Sequence, residues 1–481
     1  MSFSLSPNDC VLIDGRPFPI GDVISKSFTE GDRLIGLSGG QLLHIPSADL
    51  QVSYDAVTQS VEAFGQMKSI SAHQVTRFFE EFARILSDDE VFERIRLVNA
   101  ADVLSAKERG RSTGRLLLTD SMRSDMIAAL VTWSQTPHVD GSVLETVEHS
   151  GWSVSAVKSS LGVVAFIFEG RPNVFADATG VLRSGNTCVF RIGSDALATA
   201  QAIMDLAVRP ALLTSGLPPG AVMLVESRSH ASGWALFSDR RVSLAIARGS
   251  GKAVAQLGAV AQQHGIAASL HGTGGAWMIV AEQADAERFH SVIVNSMDRK
   301  VCNTLNVCCV LRSKAKEFVP IFINASMEAA SKRQSQLFIH ADAEALALIA
   351  TPASSLTCTL LDHSDLATEW EWENDPECAL VIVDNVQQAI ELFNRYAPKF
   401  IISVISEDAN ELQQVWREAD APFVGNGITR WVDGQFALDK PELGLSNWQS
   451  GRILGRGGIL SGDSVFSVRY IVDQRDNDLH R

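Results

Sequence analysis

The residue in this sequence with the clearest capacity for chemistry is Cys302, in the segment Arg299-Lys300-Val301-Cys302-Asn303. A thiolate attacks carbonyl and acyl carbons, and the two cations before Cys302 would favour that ionised form. The same window has a plainer interpretation, because an isolated cysteine is most often a small buried apolar residue. The elements around Cys302 must decide between a nucleophile and a core residue.

A second group of polar residues follows the apolar segment Val163–Phe168. Glu169-Gly170-Arg171-Pro172-Asn173 puts an acid, a guanidinium and a carboxamide at the end of a predicted strand. Arginine there can clamp an anion, and the asparagine amide can donate to a developing oxyanion. A salt-bridged turn without a ligand is the alternative.

Glycine-rich turns form a third group. Arg191-Ile192-Gly193-Ser194-Asp195 and Arg248-Gly249-Ser250-Gly251-Lys252 each follow a predicted strand and open a helix, which suits a phosphate group. Neither matches the P-loop or the glycine fingerprint of the common dinucleotide fold. Gly216-Leu217-Pro218-Pro219-Gly220 is a tight loop between a helix and a strand. Each signal is weak alone, because turns need glycine in any case.

These residues are positioned by two series of strand, turn and helix. Short apolar, β-branched segments predict the strands, which are Val163–Phe168, Thr187–Arg191, Val222–Val225 and Val242–Ile246, then Trp277–Val280, Val307–Leu311, Ala379–Val383 and Phe400–Val404. Apolar spacing predicts helices over Val75–Leu86, Phe92–Leu104 and Asp195–Ala211. Alternation of this kind indicates the α/β class, with two parallel sheets and a ligand crevice between domains.

The same patterns predict a division of the chain into four parts. They are a β-rich N-terminal extension (1–70), a dinucleotide-binding domain (71–266), a catalytic domain that contains Cys302 (267–430), and a return to the first domain (431–481). Two β segments fit neither series, Val143–Ala156 and Val465–Val472, and are expected to pair as a small arm.

Composition narrows the class of protein. The chain has 481 residues, 46% of them hydrophobic and 20% charged, which is typical of a globular protein with two or three domains. A net charge of −15 argues against a nucleic-acid partner. The sequence contains no apolar run long enough for a membrane span and no visible signal peptide. Seven irregularly spaced cysteines indicate neither a disulfide framework nor a metal site. A cytoplasmic location is expected.

Together these motifs resemble the γ-glutamyl phosphate reductases (glutamate-5-semialdehyde dehydrogenases), a branch of the aldehyde dehydrogenase superfamily. The resemblance runs from about residue 70 to residue 472 and is carried by Leu161–Val174, Leu182–Asn186, Arg191–Asp195, Ala247–Gly251, Val301–Asn303 and Asn426–Arg430. It implies an aldehyde dehydrogenase-like fold with two doubly wound parallel-sheet domains, and a β arm that assembles a homodimer or homotetramer.

The resemblance also implies an activity, the reduction of an activated acyl group to an aldehyde by NADPH, with NADH possible. Cys302 would carry the acyl group as a thioester, and Asn173 with the backbone N–H of Cys302 would hold the oxyanion. The implied substrate residues are Glu169, Arg171, His271, Asn303 and Arg456. The implied cofactor residues are Arg191, Gly193, Ser194, Asp195, Gly216, Pro219, Gly249 and Ser250. Asp195 would face the adenosine ribose; an acid there favours NAD, yet the family commonly uses NADPH with an acid in this place, so the cofactor stays open.

One further feature favours reduction over oxidation. Hydrolytic aldehyde dehydrogenases carry a water-activating glutamate before the cysteine, whereas Ser269-Leu270-His271-Gly272-Thr273-Gly274 has no carboxylate. Without that base, hydrolysis of a thioester should be slow. His271 matches a family position, and a structural histidine is its alternative interpretation.

Departures from the family concern the acyl group. Family residues are replaced at Thr273, Trp277, Tyr396–Phe400, Asn447-Trp448 and Gly458. Three hypotheses follow. The first is a reductase of an acyl phosphate, γ-glutamyl phosphate or a relative, with a small phosphate pocket around Arg171 and Arg456. The second is a reductase of an acyl thioester carried by coenzyme A or a carrier protein, in a specialised biosynthetic pathway. The third, an inactive scaffold, is disfavoured because Cys302 and Asn173 remain.

Overall fold

The computed structural model describes residues 5–111, 113–349, 354–447 and 458–480. In these ranges the strands are β1 (Cys10–Ile13), β2 (Arg16–Pro19), β3 (Arg33–Leu37), β4 (Gln41–Ile45), β5 (Val143–His149), β6 (Trp152–Ser160), β7 (Val163–Phe168), β8 (Thr187–Ile192), β9 (Val222–Leu224), β10 (Val242–Arg248), β11 (Ala267–His271), β12 (Ala276–Val280), β13 (Leu305–Leu311), β14 (Leu337–Ala341), β15 (Leu356–Leu360), β16 (Glu377–Val383), β17 (Ile401–Ile405), β18 (Phe423–Gly425), β19 (Glu442–Leu445), β20 (Ile459–Ser461) and β21 (Phe466–Gln474).

The α-helices connect and cover these strands. They are α1 (Gly21–Ser27), α2 (Ser47–Met67), α3 (Ala72–Leu86), α4 (Asp89–Glu108), α5 (Asp120–Gln135), α6 (Val174–Ala178), α7 (Leu197–Ile203), α8 (Arg209–Ser215), α9 (Ala231–Phe237), α10 (Gly251–Gln263), α11 (Ala286–Ser296), α12 (Ala315–Lys332), α13 (Ala343–Leu348), α14 (Val386–Tyr396), α15 (Ala409–Glu418) and α16 (Gly434–Leu438). Among the described residues, no helix is both long enough and apolar enough to cross a bilayer.

The chain forms two compact units. The first contains Met1–Gly272, Asp439–Gly444 and Leu460–Arg481, and the second contains Thr273–Leu438 and Leu445–Ile459. The sequence placed the main boundary at 266/267 and a separate extension before residue 71. The structure instead keeps the N-terminal residues within the first unit and moves the boundary to the segment after β11.

The first unit is built on a five-stranded parallel sheet in the order β11-β10-β7-β8-β9. All six residues of β7 and all six of β8 are buried, as expected for strands that are covered on both faces. The rings of Phe166 and Phe190, neighbours on β7 and β8, stack with centroids 5.1 Å apart. The α/β prediction and its first four strands are confirmed.

The N-terminal segment differs from its prediction. Two antiparallel hairpins, β1–β2 and β3–β4, agree with the predicted β-rich extension, but residues 47–67 make the 21-residue helix α2. The buried residues Ala56, Val57, Ser60, Ala63 and Met67 recur at helical spacing. The helix packs on the sheet, where Ser60 Oγ donates to Thr187 Oγ1 at 2.9 Å in the interior. Polar residues between the small apolar ones hid this pattern in the sequence.

The helix predicted over Asp195–Ala211 is interrupted. It forms as α7, a π-helical turn over Met204–Val208, and α8. Pro210 stands in the first turn of α8 and has no backbone N–H to donate to the preceding turn. The wider π turn accommodates the lost hydrogen bond.

The predicted arm forms a three-stranded antiparallel sheet in the order β21-β6-β5. The pairing of β21 with β6 is continuous over nine residues, from Phe466 opposite Ser160 to Gln474 opposite Trp152. Its outer strands expose several large apolar side chains, including Leu144 (50% exposed), Tyr470 (73%) and Ile471 (57%).

The second unit is built on a seven-stranded parallel sheet in the order β15-β14-β16-β13-β12-β17-β18. The four strands predicted for it are present in its centre. The outer strands β14, β15 and β18 were not predicted, because β14 and β15 carry polar residues among the apolar ones and β18 is only three residues long. Trp277 of β12 is fully buried, and its ring meets Phe393 of α14 edge to face at 5.8 Å.

Candidate active site

Four strands of the first unit end in one row. The register aligns His271, Arg248, Phe168 and Ile192, the last residues of β11, β10, β7 and β8. The turns that follow these strands therefore meet at one edge of the sheet. This edge is where ligands bind in open parallel sheets.

Two of these turns need glycine because the chain passes too close for a side chain. A Cβ on Gly249 would lie 2.6 Å from Cδ of Glu169, and one on Gly193 would lie 3.0 Å from the amide nitrogen of Gly170. Ser250 N donates to Glu169 Oε1 at 2.8 Å, which fixes the turn after β10 to the turn after β7. Closely spaced backbone amides that no side chain covers suit the phosphates of a dinucleotide. Glu169 lies among these turns, so its position groups it with the candidate cofactor residues. Ser194 lies in the same edge, in the turn after Gly193.

Asn173 stands at the start of α6, four residues past Glu169. Its side-chain oxygen Oδ1 is buried and has no hydrogen-bond partner among the described residues. Buried polar atoms are normally paired, so this oxygen is open to a partner from outside the protein, either a ligand or an ordered water. A carboxamide can present its oxygen or its NH₂ group by a flip about its last bond. Arg171, in the same turn, is half-buried.

Arg191 and Asp195 flank the turn after β8, and both are engaged with protein groups. The Arg191 side chain is buried, its Nη2 donates to Ser229 O at 2.9 Å, and burial lowers the pKa of its guanidinium. Arg111 Nη1 donates to Asp195 Oδ2 at 2.6 Å, and Arg109 Nη2 forms an ion pair with Asp195 Oδ1 at 2.9 Å. Sequence reasoning missed these two arginines, which lie more than 80 positions before Asp195 and belong to no motif.

Gly216 and Pro219 are not brought to this edge. Both precede β9, and β9 runs parallel to β8, so they lie at the opposite end of the strands from Gly193 and Gly249. Gly216 ends α8 in the left-handed conformation, with φ of 74°. Their role in the structure is to turn the chain from helix to strand.

In the second unit, Cys302 lies in the loop between α11 and β13 and is half-buried. Gly275 N donates to the Cys302 carbonyl at 2.8 Å. A Cβ on Gly274 would lie 2.5 Å from Cys302 Cα, so the turn before β12 rests directly on the Cys302 backbone. Both segments precede their strands and lie at the amino ends of the second sheet.

The other cysteines differ from Cys302 in burial. Burial raises the pKa of the fully buried thiols, which are Cys188, Cys308, Cys309 and Cys378. Burial also raises the pKa of the half-buried Cys358 on the edge strand β15. Thiols held in the neutral form are poor nucleophiles. Cys10 is exposed on the first hairpin.

Asn303, next to Cys302, is held by the segment 429–432. Its Nδ2 donates to Val432 O at 2.9 Å, Arg430 Nη1 donates to its Oδ1, and Thr429 Oγ1 donates to its carbonyl at 2.7 Å. Both ends of the buried Asn303 side chain are thus bound to protein. These hydrogen bonds fix the position of Cys302, and the substrate contact of Asn303 stays a prediction.

Lys300, on the other side of Cys302, is paired. Its ammonium lies 3.2 Å from Glu369 Oε1, and its side chain is only 5% exposed. The second oxygen of Glu369 accepts from Gly274 N at 2.9 Å. The cation that was expected to favour the Cys302 thiolate is therefore neutralised by a carboxylate. Glu369 in turn has both oxygens engaged in holding the loop.

Loss of the Glu369 charge is expected to destabilise this loop. Glu369→Gln can keep the bond to Gly274 N but removes the nearer counter-charge of the buried Lys300 and leaves only the exposed Glu371, 3.9 Å away, which should cost about 2 kcal/mol. The double variant Lys300→Met/Glu369→Gln should recover most of that loss, because no charge remains buried. Urea unfolding of the single and double variants measures the coupling, and strictly additive losses would show that the two side chains do not act as a pair.

The departures from the family pattern fall in two places. Asn447 Nδ2 donates to Thr273 O at 3.0 Å and to Pro398 O at 2.9 Å, so three of the altered segments meet at one point. Trp277, by contrast, is fully buried in a hydrophobic core cluster of the second unit. Arg456 and Trp448 lie outside the described residues.

His271 is buried at the end of β11, and its carbonyl accepts from Gly249 N at 3.2 Å.

Comparison with known proteins identifies the family. The model of the aldehyde dehydrogenase family matches residues 36–336, more than half of the chain, and begins within the segment that the sequence had set apart. A γ-glutamyl phosphate reductase from Moorella thermoacetica is 26% identical over 402 residues, which are 81% of this chain and 90% of that protein.

Solved structures agree with this result. The γ-glutamyl phosphate reductase of Thermotoga maritima superposes with a TM-score of 0.77 at 25% identity, covering 89% of this chain and all of that one. A propionaldehyde dehydrogenase from Rhodopseudomonas palustris, solved with propionyl-CoA, has a TM-score of 0.62 over 88% of this chain and 94% of its own. At 16% identity the second likeness concerns the fold alone. The chain therefore belongs to the aldehyde dehydrogenase family.

Proposed function

We propose that this protein reduces an activated acyl group to an aldehyde through a thioester on Cys302. The observation that carries the proposal is the Cys302 loop. Its half-buried thiol is held between the backbone of Gly274-Gly275 and the Asn303 contacts with residues 429–432. A cysteine that only filled the core would need neither support. A rigid loop places a nucleophile for attack.

The chemistry has two stages. The Cys302 thiolate forms a bond to the acyl carbon, the bond to the leaving group breaks, and phosphate or a thiol departs with the electron pair. A nicotinamide cofactor supplies the hydride that, with one proton, converts the acyl thioester to the aldehyde and frees the Cys302 thiol. Asn173 and the backbone N–H of Cys302 are the donors we assign to the oxyanion in both stages.

The proposal favours reduction over hydrolysis because no residue of the 269–274 turn is a carboxylate. The carboxylate that does reach this turn, Glu369, is hydrogen-bonded to Gly274 and paired with Lys300. A carboxylate engaged in this way is a poor base for activating water.

For the leaving group we place phosphate first. The proteins from Moorella and Thermotoga, which share about a quarter of their residues with this chain, are named for an acyl phosphate, γ-glutamyl phosphate. The neighbour solved with an acyl-CoA shares only the fold. The alternative is a thioester of coenzyme A or a carrier protein. The altered segments that meet at Asn447 support a substrate other than γ-glutamyl phosphate within the first class.

We assign the dinucleotide to the turns around Gly193, Ser194, Gly249 and Ser250, with Glu169 beside them, and the acyl group to Arg171 and His271. The reductant we propose is NADPH, with NADH as the alternative.

We also propose a homodimer or homotetramer, since the exposed apolar strands β5 and β21 form an edge that a second copy could cover. A reducing, cytoplasmic setting fits seven cysteines that form no disulfide in the described chain.

A substrate panel tests the function. Oxidation of NADPH or NADH is followed with γ-glutamyl phosphate made in situ, with other acyl phosphates and with several acyl-CoAs. The reverse reaction is followed with aldehydes plus phosphate or CoA. We expect turnover with an acyl phosphate, and aldehyde oxidation that requires phosphate. Turnover with thioesters alone would establish the alternative, and no turnover in any arm would leave the inactive scaffold.

A further inference from the structure

We propose that Arg109 and Arg111 form a binding site for the 2′-phosphate of NADPH, and that they set a preference for NADPH over NADH. The inference rests on the proposed function only in requiring that a nicotinamide dinucleotide binds at the first sheet. It resolves the choice that the Asp195 residue type left open. The ligand class is a phosphomonoester on a ribose.

Two arginine side chains pair with Asp195, the acid that would otherwise bind the ribose hydroxyl. Arg111 Nη1 lies 2.6 Å from Asp195 Oδ2, and Arg109 Nη2 lies 2.9 Å from Asp195 Oδ1. Asp195 follows Gly193 by two residues, in the turn after β8. The arginine side chains are 50% and 42% exposed, whereas that of Asp195 is 21% exposed. The two guanidinium groups are thus more exposed than the carboxylate that they pair with, and a ligand can reach them from solvent.

The two arginines are held in place by α4. Arg109 Nε donates to Ser105 O at 3.0 Å, and the backbone N–H of Arg111 donates to Ala106 O at 3.0 Å, which wraps the chain over the helix end. Further along the helix, Asp102 Oδ2 accepts from Thr199 N and Oγ1, both at 2.8 Å. Thr199 belongs to α7, the helix that begins after Asp195. The same pair of helices therefore carries the acid and the cations.

The charge balance favours a phosphate. A lone carboxylate at this place accepts the ribose hydroxyl and repels a 2′-phosphate. Here one negative charge meets two positive ones, and each guanidinium keeps N–H donors beyond those used on Asp195. Arginine binds phosphate through paired, charge-assisted hydrogen bonds. Two further acids follow the strands on either side of β8, and both are engaged: Glu226 by Arg209 and Gln201, and Glu169 by the backbone N–H of Ser250.

Equilibrium binding tests the inference without an acyl substrate. Titration calorimetry measures the Kd of NADPH, NADH and 2′,5′-ADP for the wild type, Arg109→Met, Arg111→Met and the double variant. We expect each single variant to weaken NADPH and 2′,5′-ADP about 10-fold and the double variant about 100-fold, with NADH unchanged. Arg111→Lys keeps the charge and should lose less than Arg111→Met. Arg312→Met, which removes an arginine of similar exposure from two acids in the second unit, is the matched control.

Two results would overturn the inference. One is a wild type that binds NADH as tightly as NADPH, and the other is an equal loss for both dinucleotides in the variants, which is the signature of a structural ion pair. Failure of the proposed function looks different. A clear NADPH preference that depends on both arginines, with no turnover in the substrate panel, would leave this site standing and remove the acyl reduction.

Discussion

Cys302→Ala is expected to abolish aldehyde formation. The variant has no group that can carry the acyl chain, and loss of a covalent nucleophile typically lowers turnover by about 10³-fold or more. Binding of the dinucleotide should persist, because the turns around Gly193 and Gly249 belong to the first unit and contain no part of the Cys302 loop. Single-turnover assays with mass spectrometry should show an acyl adduct on the wild type alone.

The matched control for this variant is Cys358→Ala. Cys358 is also half-buried, but it lies on the edge strand β15 of the same sheet, and its thiol pKa is raised by burial. We expect full activity in this variant, and we expect iodoacetamide to inactivate it and the wild type alike. Undiminished turnover by Cys302→Ala would remove the thioester mechanism altogether.

Asn173→Ala is expected to lower turnover by about 10²- to 10³-fold, the usual effect of removing one oxyanion donor. The loss should fall on kcat and leave the Kd of NADPH unchanged. Stability should move little, because the buried Oδ1 of Asn173 has no partner in the described chain whose hydrogen bond would be broken. Loss of activity without loss of stability is the combination that distinguishes a group reserved for a ligand.

Asn99→Ala gives the contrasting result. Asn99 is a buried asparagine whose Nδ2 donates to Leu116 O at 2.9 Å and whose Oδ1 accepts from Leu118 N at 2.8 Å. Its removal orphans both backbone groups and should cost about 1–3 kcal/mol of stability. If Asn173→Ala instead unfolds as readily as Asn99→Ala and keeps its rate, Asn173 is a structural residue.

The fold was largely predictable because its central strands are continuous apolar runs, as β7 and β12 show. The helix α2 was not, since its buried face consists of serine and alanine as much as of valine. The arm was predictable in outline because Val465–Val472 alternates like a strand and had no place in either series.

Only individual residues of the site could be predicted from the sequence, and not the contacts that hold them. Cys302 and Asn173 stand out by type and setting, but what holds them depends on distant segments. Asn303 is bound by residues 429–432, and Asp195 by Arg109 and Arg111. Local sequence cannot show that Lys300 is neutralised by Glu369. It also cannot show that Gly216 and Pro219 end up at the far edge of the sheet, since that follows from strand direction.

The first unit is assembled from segments that lie far apart in the chain. This arrangement determines when the unit can fold during synthesis. Ser184 Oγ donates to Gly462 O at 2.7 Å, and Asn186 Nδ2 donates to Val465 O at 2.7 Å, across gaps of 278 and 279 residues. A Cβ on Gly462 would lie 2.3 Å from the carbonyl carbon of Gly180, so the backbone at Gly462 packs directly against the backbone at Gly180. The ribosome thus releases every strand of the second sheet before the first unit can close. Until then, the nascent chain exposes Leu182 and its neighbours, which makes this interval the one in which a chaperone would matter most.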